Sequence, residues 1–569
     1  MKKMSKKMLA GVLALCMSVA TMGCGNSLLG DTEEADSAKT QLYVYNYDGG
    51  YGSKWLQNIK QRFEEAYADY EGENGKVGVQ LIIENGKTHG AEFETSISGS
   101  RHEVIFTENV QYYDFVNQEL LYDLTDVLTT PLEEYGENQS IFDKFTAEQQ
   151  AFYKNDEGKI YGVPYRFDIQ GIVYDMDLFE EFSLYMAKGG CPSEYCEFTQ
   201  KNNAEPATGS FTEYAYTDGV DEGSRSAGPD GLYGTADDGL PGTYEEFFVL
   251  CKEMTTYGVT PFIWSGQYRE NYLQRNFQAM VADFEGLEDY TLKYTFDGVA
   301  NHLVDSIADD GTIRYKAPTT ITADNGYLMS SSAGTYYASQ FMESLIKGGY
   351  YDASCFSLTV SHQDAQSDYL NSKYTANRIA FLMDGIWWEN EASATFEELQ
   401  IKYEGAGKME RNFGLLTMPK ATMEQIGEPT TSCDFLSLLC MVNGNISDDK
   451  KELAELFVRF CFTEENNRAF NVDTGCPRSI SYTLTDEDKS QLSTFGQSVY
   501  EMKKGNVVFP FANTELYRRM LAKNALGDTL KPESVSANYV WEAFKYYPEE
   551  TNSVVIFREN MDNLKGNWN

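Results

Sequence analysis

The chain has 569 residues, which is enough for two or more folded units at about 100–200 residues each. Aromatic residues make up 14% of it, far too much core material for a disordered chain. Its formal net charge of -41 excludes nucleic acid and acidic lipid surfaces as good partners, because both need basic patches.

The first residues have the pattern of an export signal. Lys2, Lys3, Lys6 and Lys7 precede an apolar stretch over 8–22, which is shorter than the about 20 apolar residues of a membrane-spanning helix. The stretch ends in TMGC at 21–24, which resembles the lipobox of bacterial lipoproteins. That resemblance implies a signal peptide over 1–23, a lipidated Cys24 and a location on the outer face of the cell membrane. The alternative is an ordinary signal peptide with a coincidental cysteine.

Periodic sequence begins after a polar, acidic segment. Residues 24–40 show no periodicity, and we expect them to form a flexible tether. Alternating apolar residues then predict strands at 42–45, 77–84 and 103–106, and helical spacing predicts a helix over 54–70. Strands that alternate with helices predict an α/β fold with a largely parallel sheet.

The middle of the chain combines regular elements with an insertion. A break at Pro164 is followed by a predicted strand over 171–174 and a helix that opens at Asp175. Residues 187–242 are rich in Gly, Asp, Ser, Thr and Pro, and we expect a surface insertion there. Thr243 is a predicted N-cap with Glu246 in the capping-box position.

Three patterns stand out in the C-terminal half. Residues 378–388 read RIAFLMDGIWW, which predicts a buried strand, a turn and exposed or packed aromatics. An apolar run over 433–442 precedes an amphipathic segment over 448–462, and a loop over 470–479 follows the next helix. The tail is predicted to be mostly helical.

These segments, in this order, resemble the family 1 extracellular solute-binding proteins of ABC importers, the maltose-binding-protein-like group. IYGVPYRFDIQGIVYDMDLFEEF at 160–182 is similar to the family segment that crosses between lobes, and GTYEEF at 242–247 is similar to a family helix start. RIAFLMDGIWW is similar to the family pattern that ends in G.W, and TGCPRS at 474–479 to its late loop. The similarity covers most of the chain from about residue 40.

The resemblance implies an α/β, two-lobe type II periplasmic-binding-protein fold with a hinge and an interlobe cleft. The expected crossings lie near 165–168, 431–439 and 477–483. Lobe 1 would then comprise 41–164 with about 437–480, and lobe 2 would comprise 165–436 with about 481–569. The implied function is capture of a carbohydrate, an oligosaccharide by our interpretation, for delivery to the permease subunits of an ABC transporter. We expect a monomer.

Side chains at predicted strand ends and crossings are the candidates for ligand contact. Carboxylates and guanidinium groups bind sugar hydroxyls through charge-assisted hydrogen bonds, and aromatic rings cover the apolar faces of pyranose rings. In open α/β sheets ligands bind beyond the carboxyl ends of the strands. The candidates are Tyr47, Asp48, Glu108, Arg166, Asp168, Trp264, Asp384, Trp387 and Arg478.

Most of these candidates have a second interpretation. Asp48 has the alternative of a helix-capping turn, and Glu108 that of an exposed carboxylate in the first turn of a helix. Arg166 and Asp168 can simply pair with each other. Trp264 has the alternative of core packing. Arg478 has the alternative of holding a hinge carboxylate. The resemblance aligns Trp387 with the aromatic residue that stacks on sugar in the family, while Trp388 is expected to be packed.

A second candidate site lies inside the insertion. Asp230, Asp237 and Asp238 alternate with glycines, and such a loop can wrap a structural calcium ion with carboxylate and carbonyl oxygens. The loop lacks the glutamate of an EF-hand at the twelfth position. The alternative is a pair of tight Asp-Gly turns. We expect no other cofactor.

The cysteines and histidines argue against a metal or catalytic centre of the familiar kinds. The cysteines form no CxxC pair, so a zinc site is not predicted; Cys191 and Cys196 are close enough in sequence to bridge, and the others are expected to be buried and apolar in character. The four histidines lie outside any G-x-S-x-G or HExxH motif. A non-enzyme is therefore expected. The open alternatives are a binding protein for a peptide or polyol phosphate, a surface receptor, and a glycan-active enzyme.

Overall fold

The fold is described from a computed structural model, over residues 33–72, 75–187, 225–434, 438–508 and 530–568. The predicted signal peptide, Cys24, the Cys191–Cys196 pair and residues 188–224 of the predicted insertion lie outside these residues. Within the described residues, no helix is both long enough and apolar enough to cross a bilayer.

Fifteen strands are present in the described residues. In chain order they are β1 (Thr40–Tyr47), β2 (Val79–Gly86), β3 (Val104–Thr107), β4 (Gly162–Pro164), β5 (Gln170–Asp175), β6 (Val259–Ile263), β7 (Gly298–Ala300), β8 (Val304–Ile307), β9 (Ile313–Tyr315), β10 (Thr319–Ile321), β11 (Arg378–Gly385), β12 (Phe413–Leu415), β13 (Thr431–Cys433), β14 (Leu439–Val442) and β15 (Asn506–Val508).

Helices surround these strands. In chain order the described ones are α1 (Lys54–Ala66), α2 (Gly90–Ser96), α3 (Tyr112–Asn117), α4 (Thr125–Thr129), α5 (Ala147–Tyr153), α6 (Met176–Phe182), α7 (Tyr244–Thr256), α8 (Arg269–Thr295), α9 (Ala333–Lys347), α10 (His362–Ser372), α11 (Trp388–Glu391), α12 (Ser393–Lys402), α13 (Asp448–Cys461), α14 (Glu464–Thr474), α15 (Asp486–Ser490), α16 (Thr494–Met502), α17 (Val540–Tyr546) and α18 (Ser553–Trp568).

The first lobe is built on a five-stranded sheet in the order β2-β1-β3-β14-β4. Helix α1 lies on it because Trp55, Leu56, Ile59 and Phe63 recur at helical spacing and are all buried. The Trp55 ring meets Phe106 of β3 edge-on, with 5.2 Å between the ring centroids. The helix predicted over 54–70 therefore exists and ends four residues earlier, at Ala66.

The second lobe is built on a four-stranded sheet in the order β12-β5-β11-β6. Its central strand β11 is buried at every position but Arg378, as the apolar run in RIAFLMDG predicts. Asp384 and Gly385, at the end of β11, pair with Gly171 and Gln170, at the start of β5. This register places the end of β11 beside the segment that enters from the first lobe.

Both sheets are mixed, but each contains a single reversed strand, so the prediction of a largely parallel sheet holds for the direction of the other strands. Strand β1 runs parallel to β2 and β3, but β14 runs antiparallel to β3 and β4. In the second sheet β11 is parallel to β6 and antiparallel to β5, which is also antiparallel to β12. The two reversed strands are β5 and β14, because these strands enter their sheets from the other lobe and therefore run in the opposite direction.

Three segments that connect the lobes lie side by side. The chain leaves β4 through 165–169, and the Tyr165 amide donates to the Leu438 carbonyl at 3.1 Å, just before β14. The Phe167 amide donates to the Pro477 carbonyl at 3.1 Å, in the segment that follows α14. A bundle of hydrogen-bonded crossing segments is the geometry in which a few backbone torsions can rotate one lobe against the other.

The ends of two predicted segments differ from expectation. Residues 33–39 were assigned to the flexible tether, yet the Asp36 amide donates to the Gln80 side chain at 2.7 Å, so they lie against β2. The insertion was expected on the surface, yet Asp237 and Leu240 near its end are buried. Leu240 belongs to the second-lobe core because it precedes α7, whose buried side it extends.

Two local predictions are confirmed. Thr243 caps α7 by accepting from the Glu246 amide at 3.3 Å, although the Glu246 carboxylate bonds back to the Gly242 amide at 2.7 Å, one residue earlier than in a capping box. The cysteines expected to be buried are buried and free, namely Cys251, Cys355, Cys433, Cys440, Cys461 and Cys476.

Candidate ligand-binding cleft

The strand ends of the two sheets face each other. Tyr51, in the turn after β1, donates a hydrogen bond from its phenol to Asp168, at the entry to the second lobe. Gly50, in the same turn, lies directly against Trp387, which follows β11. A Cβ atom added to Gly50 would lie only 2.3 Å from Cδ1 of the indole. The space between the sheets is therefore walled by the residues that follow β1 and β3 on one side and β11 on the other, and we call it the cleft.

Arg166 is the central cation of the cleft. Its guanidinium is buried, and Nη2 lies 3.0 Å from Oδ2 of Asp168 and 3.3 Å from Oε2 of Glu108. The same group lies 4.0 Å from the centroid of the Tyr51 ring, a cation–π distance. Burial raises the pKa of Asp168 to about 6 although Arg166 acts in the opposite direction. The pairing of Arg166 with Asp168 is thus present, and it includes Glu108 as well.

Tyr47 and Asp48 lie where β1 ends. Burial raises the pKa of Tyr47, and the negative charge of Glu108 raises it further. The Tyr47 ring also contacts the His89 ring, with centroids 5.0 Å apart. Asp48 is more exposed and forms an ion pair with Lys87, with Nζ and Oδ2 at 3.3 Å. Tyr47, Asp48 and Glu108 therefore come together at one rim of the cleft, as their positions after β1 and β3 predict.

Trp387 lies across the cleft between two glycines. A Cβ on Gly385 would fall 2.2 Å from Cη2 of the indole, and Gly50 contacts its opposite edge. Only residues without a side chain let the ring lie this close to both backbones. Trp388, by contrast, is fully buried in the second lobe against Phe413, with ring centroids 5.0 Å apart. The sequence prediction that distinguished these adjacent tryptophans agrees with this placement.

Asp384 forms an acid pair with Glu391. The Gln366 amide donates to Asp384 Oδ2 at 2.9 Å and to Glu391 Oε2 at 2.8 Å, so the two carboxyl groups flank one side chain. Burial raises the pKa of Asp384 to about 7, and the charge of Glu391 adds to the rise. Burial raises the pKa of Glu391 to about 7 as well. Because each group affects the other, the pair titrates as a unit around pH 7.

Several polar atoms around the cleft have no hydrogen-bond partner within the described part of the chain. These are Arg166 Nε, Gln170 Oε1 and Gln366 Oε1. Buried polar atoms in folded proteins are nearly always paired with protein, water or ligand. The cleft therefore has donors and acceptors available for a polar molecule, in addition to the carboxylates.

Two candidates lie in the core instead of the cleft. Trp264 is fully buried and packs on Tyr351, with ring centroids 5.3 Å apart. Arg478 is also fully buried; its Nη1 donates to the Tyr165 carbonyl at 3.0 Å, and its guanidinium lies 3.8 Å from the Phe470 ring centroid. Burial lowers the pKa of Arg478 to about 10. Arg478 thus holds a crossing segment through a carbonyl, not through the hinge carboxylate that the sequence suggested.

The aspartates of the candidate calcium loop bond to their own loop. Asp237 accepts from the Asp230 amide at 3.1 Å and from the Thr235 hydroxyl at 2.7 Å, and Asp238 accepts from the Gly234 amide at 2.7 Å. This is the arrangement expected of tight Asp-Gly turns. Burial raises the pKa of Asp237 to about 6. Calcium binding by this loop stays a prediction.

Four cleft residues were not identified from the sequence. Tyr51 lies in a glycine-rich turn whose tyrosine carried no distinguishing pattern. Gln366 and Glu391 come from α10 and α11, and only the packing of those helices brings them to Asp384. Tyr272, on the first turns of α8, contributes a phenol beside Asp384, whose charge helps to raise the Tyr272 pKa. The one signal in the sequence was that Glu391 lies three residues after the RIAFLMDGIWW segment, which could have marked it as a cleft residue.

Solved structures of two binding proteins have this fold. RafE of Streptococcus pneumoniae in its apo form matches over 94% of this chain and 100% of its own, with 14% identity and a TM-score of 0.52. A chitin oligosaccharide binding protein matches over 93% of this chain and 99% of its own, with 12% identity and a TM-score of 0.51. No protein-family model and no curated protein matches the sequence. The chain thus has the α/β, two-lobed periplasmic-binding-protein fold predicted for it.

Proposed function

We propose that this protein is a non-enzymatic binding protein that captures a carbohydrate, an oligosaccharide by preference, in the cleft. The observation that carries the proposal is the combination of one indole, Trp387, with a set of carboxylates and a guanidinium at the facing sheet edges. Aromatic rings cover the apolar faces of sugar rings, and charged groups form the strongest hydrogen bonds to their hydroxyls. A chitin oligosaccharide binding protein with the same fold supports this ligand class.

The anchor and the importer belong to the same proposal. The basic and apolar residues over 1–22 and the lipobox-like Cys24 support export and lipidation at the outer face of the membrane. Several acyl chains on one residue anchor a protein stably, because each buried methylene contributes about 0.8 kcal/mol. A membrane-tethered binding protein that closes on its ligand delivers it to the permease of an ABC importer, which is the role the sequence resemblance implies.

The experiment is a ligand screen on the chain without residues 1–24. Its thermal unfolding is measured against neutral oligosaccharides, peptides and polyol phosphates, and each hit is followed by calorimetric titration. A ligand that binds only the folded state raises the melting temperature by mass action. We expect a shift with one oligosaccharide family and its loss in Trp387→Ala. Tyr257→Ala, which removes an exposed ring at the far end of α7, is the matched control.

The screen also separates the alternatives. A shift with peptides or polyol phosphates and none with any oligosaccharide would refute the carbohydrate proposal and leave the fold intact. The acid pair Asp384–Glu391 has the raised pKa values that general acids of glycosidases use, so the ligand must be recovered and analysed. Oligosaccharide recovered unchanged after prolonged incubation supports binding; shortened products would show an enzyme.

A further inference from the structure

Helix α8 is interrupted at Gly286, and one carboxylate lies on each side of the interruption. Gly286 has φ 72° and ψ 176°, a backbone conformation that only glycine adopts readily. Glu285 precedes this residue and Asp289 follows it by one turn. The break turns both side chains toward His302, in the segment between β7 and β8. These three residues, the α8 triad, lie outside the cleft group.

The three ligand atoms are close and oriented. His302 Nδ1 lies 3.3 Å from Glu285 Oε2 and 3.5 Å from Asp289 Oδ2, and all three atoms lie within 4.8 Å of one another. Ligand atoms around a tetrahedral zinc ion, at about 2.1 Å from the metal, are separated by about 3.4 Å. The two separations from His302 Nδ1 are close to that value. They exceed the about 2.7–3.2 Å of an ordinary N–H···O hydrogen bond.

Neighbouring groups hold both carboxylates in place. The Gly334 amide donates to Glu285 Oε1 at 2.7 Å, which directs Oε2 at His302. Asn301 donates to Asp289 twice, from its backbone amide at 2.8 Å and from its side chain at 3.1 Å. Hydrogen bonds of this kind orient metal-binding carboxylates and are a regular part of metal sites.

The two carboxylates of the triad face no lysine or arginine in the described part of the chain. The side chains of Glu285 and Asp289 are 2% and 6% exposed, and in the described residues neither forms an ion pair with a lysine or arginine. Buried carboxylates are costly unless they are paired or bind a metal. His302 Nδ1 is shielded from solvent and lies against the Glu285 carboxylate, without a well-directed hydrogen bond to it. The His302 side chain is nevertheless 42% exposed, which gives an ion a route from solvent.

We propose that Glu285, Asp289 and His302 bind a divalent transition-metal ion, with zinc as the best fit to one imidazole and two carboxylates. Three protein ligands leave a fourth position for water. The ion would join the two halves of α8 to the segment before β8 and, through Gly334, to the start of α9. This proposal is independent of the ligand in the cleft.

The test is a calorimetric titration of the EDTA-treated protein with zinc chloride, repeated with Mn²⁺ and Ca²⁺. We expect the unchanged protein to bind one more zinc ion than His302→Ala does. Zinc should also raise the melting temperature of the unchanged protein above that of its metal-free form. Glu285→Gln keeps the acceptor for Gly334 and tests the charge alone; we expect at least about 100-fold weaker binding. His102→Ala, which removes a histidine beside Glu84, is the matched control and should bind zinc normally.

Two results would overturn the proposal. One is equal zinc binding by the protein, His302→Ala and Glu285→Gln, which would place the ion elsewhere. The other is no binding of any of the three ions by a correctly folded protein. The second result would leave the three side chains of the α8 triad as a metal-free cluster.

Discussion

Asp384 and Glu391 hold their protons more tightly in the folded protein than in the unfolded chain. Their folded pKa is about 7, against ordinary values near 4. Between about pH 4 and pH 7 the folded state therefore binds more protons, and stability falls as pH rises through that window. We predict that Asp384→Asn reduces this loss. The free energy of unfolding of the variant minus that of the unchanged protein should be about 3 kcal/mol higher at pH 8 than at pH 4.5.

The measurement is urea unfolding at both pH values, followed by tryptophan fluorescence. Glu398→Gln, which changes an exposed carboxylate on α12, is the control and should follow the unchanged protein at both. An Asp384→Asn variant with the same pH dependence of stability as the unchanged protein would show that the pKa of Asp384 is not raised by folding.

Arg166 gives a second prediction at the same scale. It is the one basic side chain paired with both Glu108 and Asp168 among the described residues, and removing one member of a buried ion pair costs about 3–5 kcal/mol. Arg166→Met should therefore lower the free energy of unfolding by about that amount, and adding Asp168→Asn should recover part of the loss. Arg101→Met, which breaks an exposed pair with Glu84, should cost less than about 1 kcal/mol. Equal effects of Arg166→Met and Arg101→Met on the denaturation midpoint would contradict the prediction.

At the level of elements, α8 connects the two sites. Its first turns carry Tyr272 beside the acid pair, and its interruption at Gly286 carries the α8 triad. Gly286→Ala places a Cβ in a backbone conformation that costs about 1–3 kcal/mol, although nothing lies within 4 Å of that position. We predict destabilisation by about this amount, measured by denaturant unfolding. Gly99→Ala also meets nothing within 4 Å, has no positive φ, and should change stability by less than about 0.5 kcal/mol. Equal stability of the two variants would mean that the interruption at Gly286 is not strained for alanine.

The sequence predicted those elements whose periodicity is local. β1, α1 and β11 follow from alternation or helical spacing, and Tyr47 and Glu108 follow from their places after strands. Strand direction was not predictable in the same way, because it depends on which lobe β5 and β14 enter from. Trp264 and Trp387 both follow apolar strands, and only tertiary packing buries one and leaves the other at the cleft. Gln366 carries no local signal at all.

For the whole molecule, the net charge of -41 and the carboxylates of the cleft both argue for a ligand without negative charge. Glu108, Asp168, Asp384 and Glu391 surround a cleft in which the cations Arg166 and Lys87 act on these carboxylates. The charges of Glu108 and Asp168 both act on Glu391. At pH 8, where the acid pair is ionised, a carboxylate on the ligand would lie among like charges. Two unit charges about 4 Å apart repel by about 4 kcal/mol near a protein surface.

We therefore predict that neutral oligosaccharides bind at least about ten-fold more tightly than uronic-acid oligosaccharides of the same length at pH 8 and low salt. Added salt should narrow the difference, because ions screen exposed charges over about 10 Å at 0.1 M. Calorimetric titration with a matched pair of ligands at two salt concentrations makes the comparison. Glu391→Gln should reduce the difference in affinity between the neutral and the anionic ligand without added salt, whereas Glu398→Gln should leave that difference unchanged. Tighter binding of the anionic member would mean that Arg166 and Lys87 govern recognition, and the cleft would then select acidic sugars.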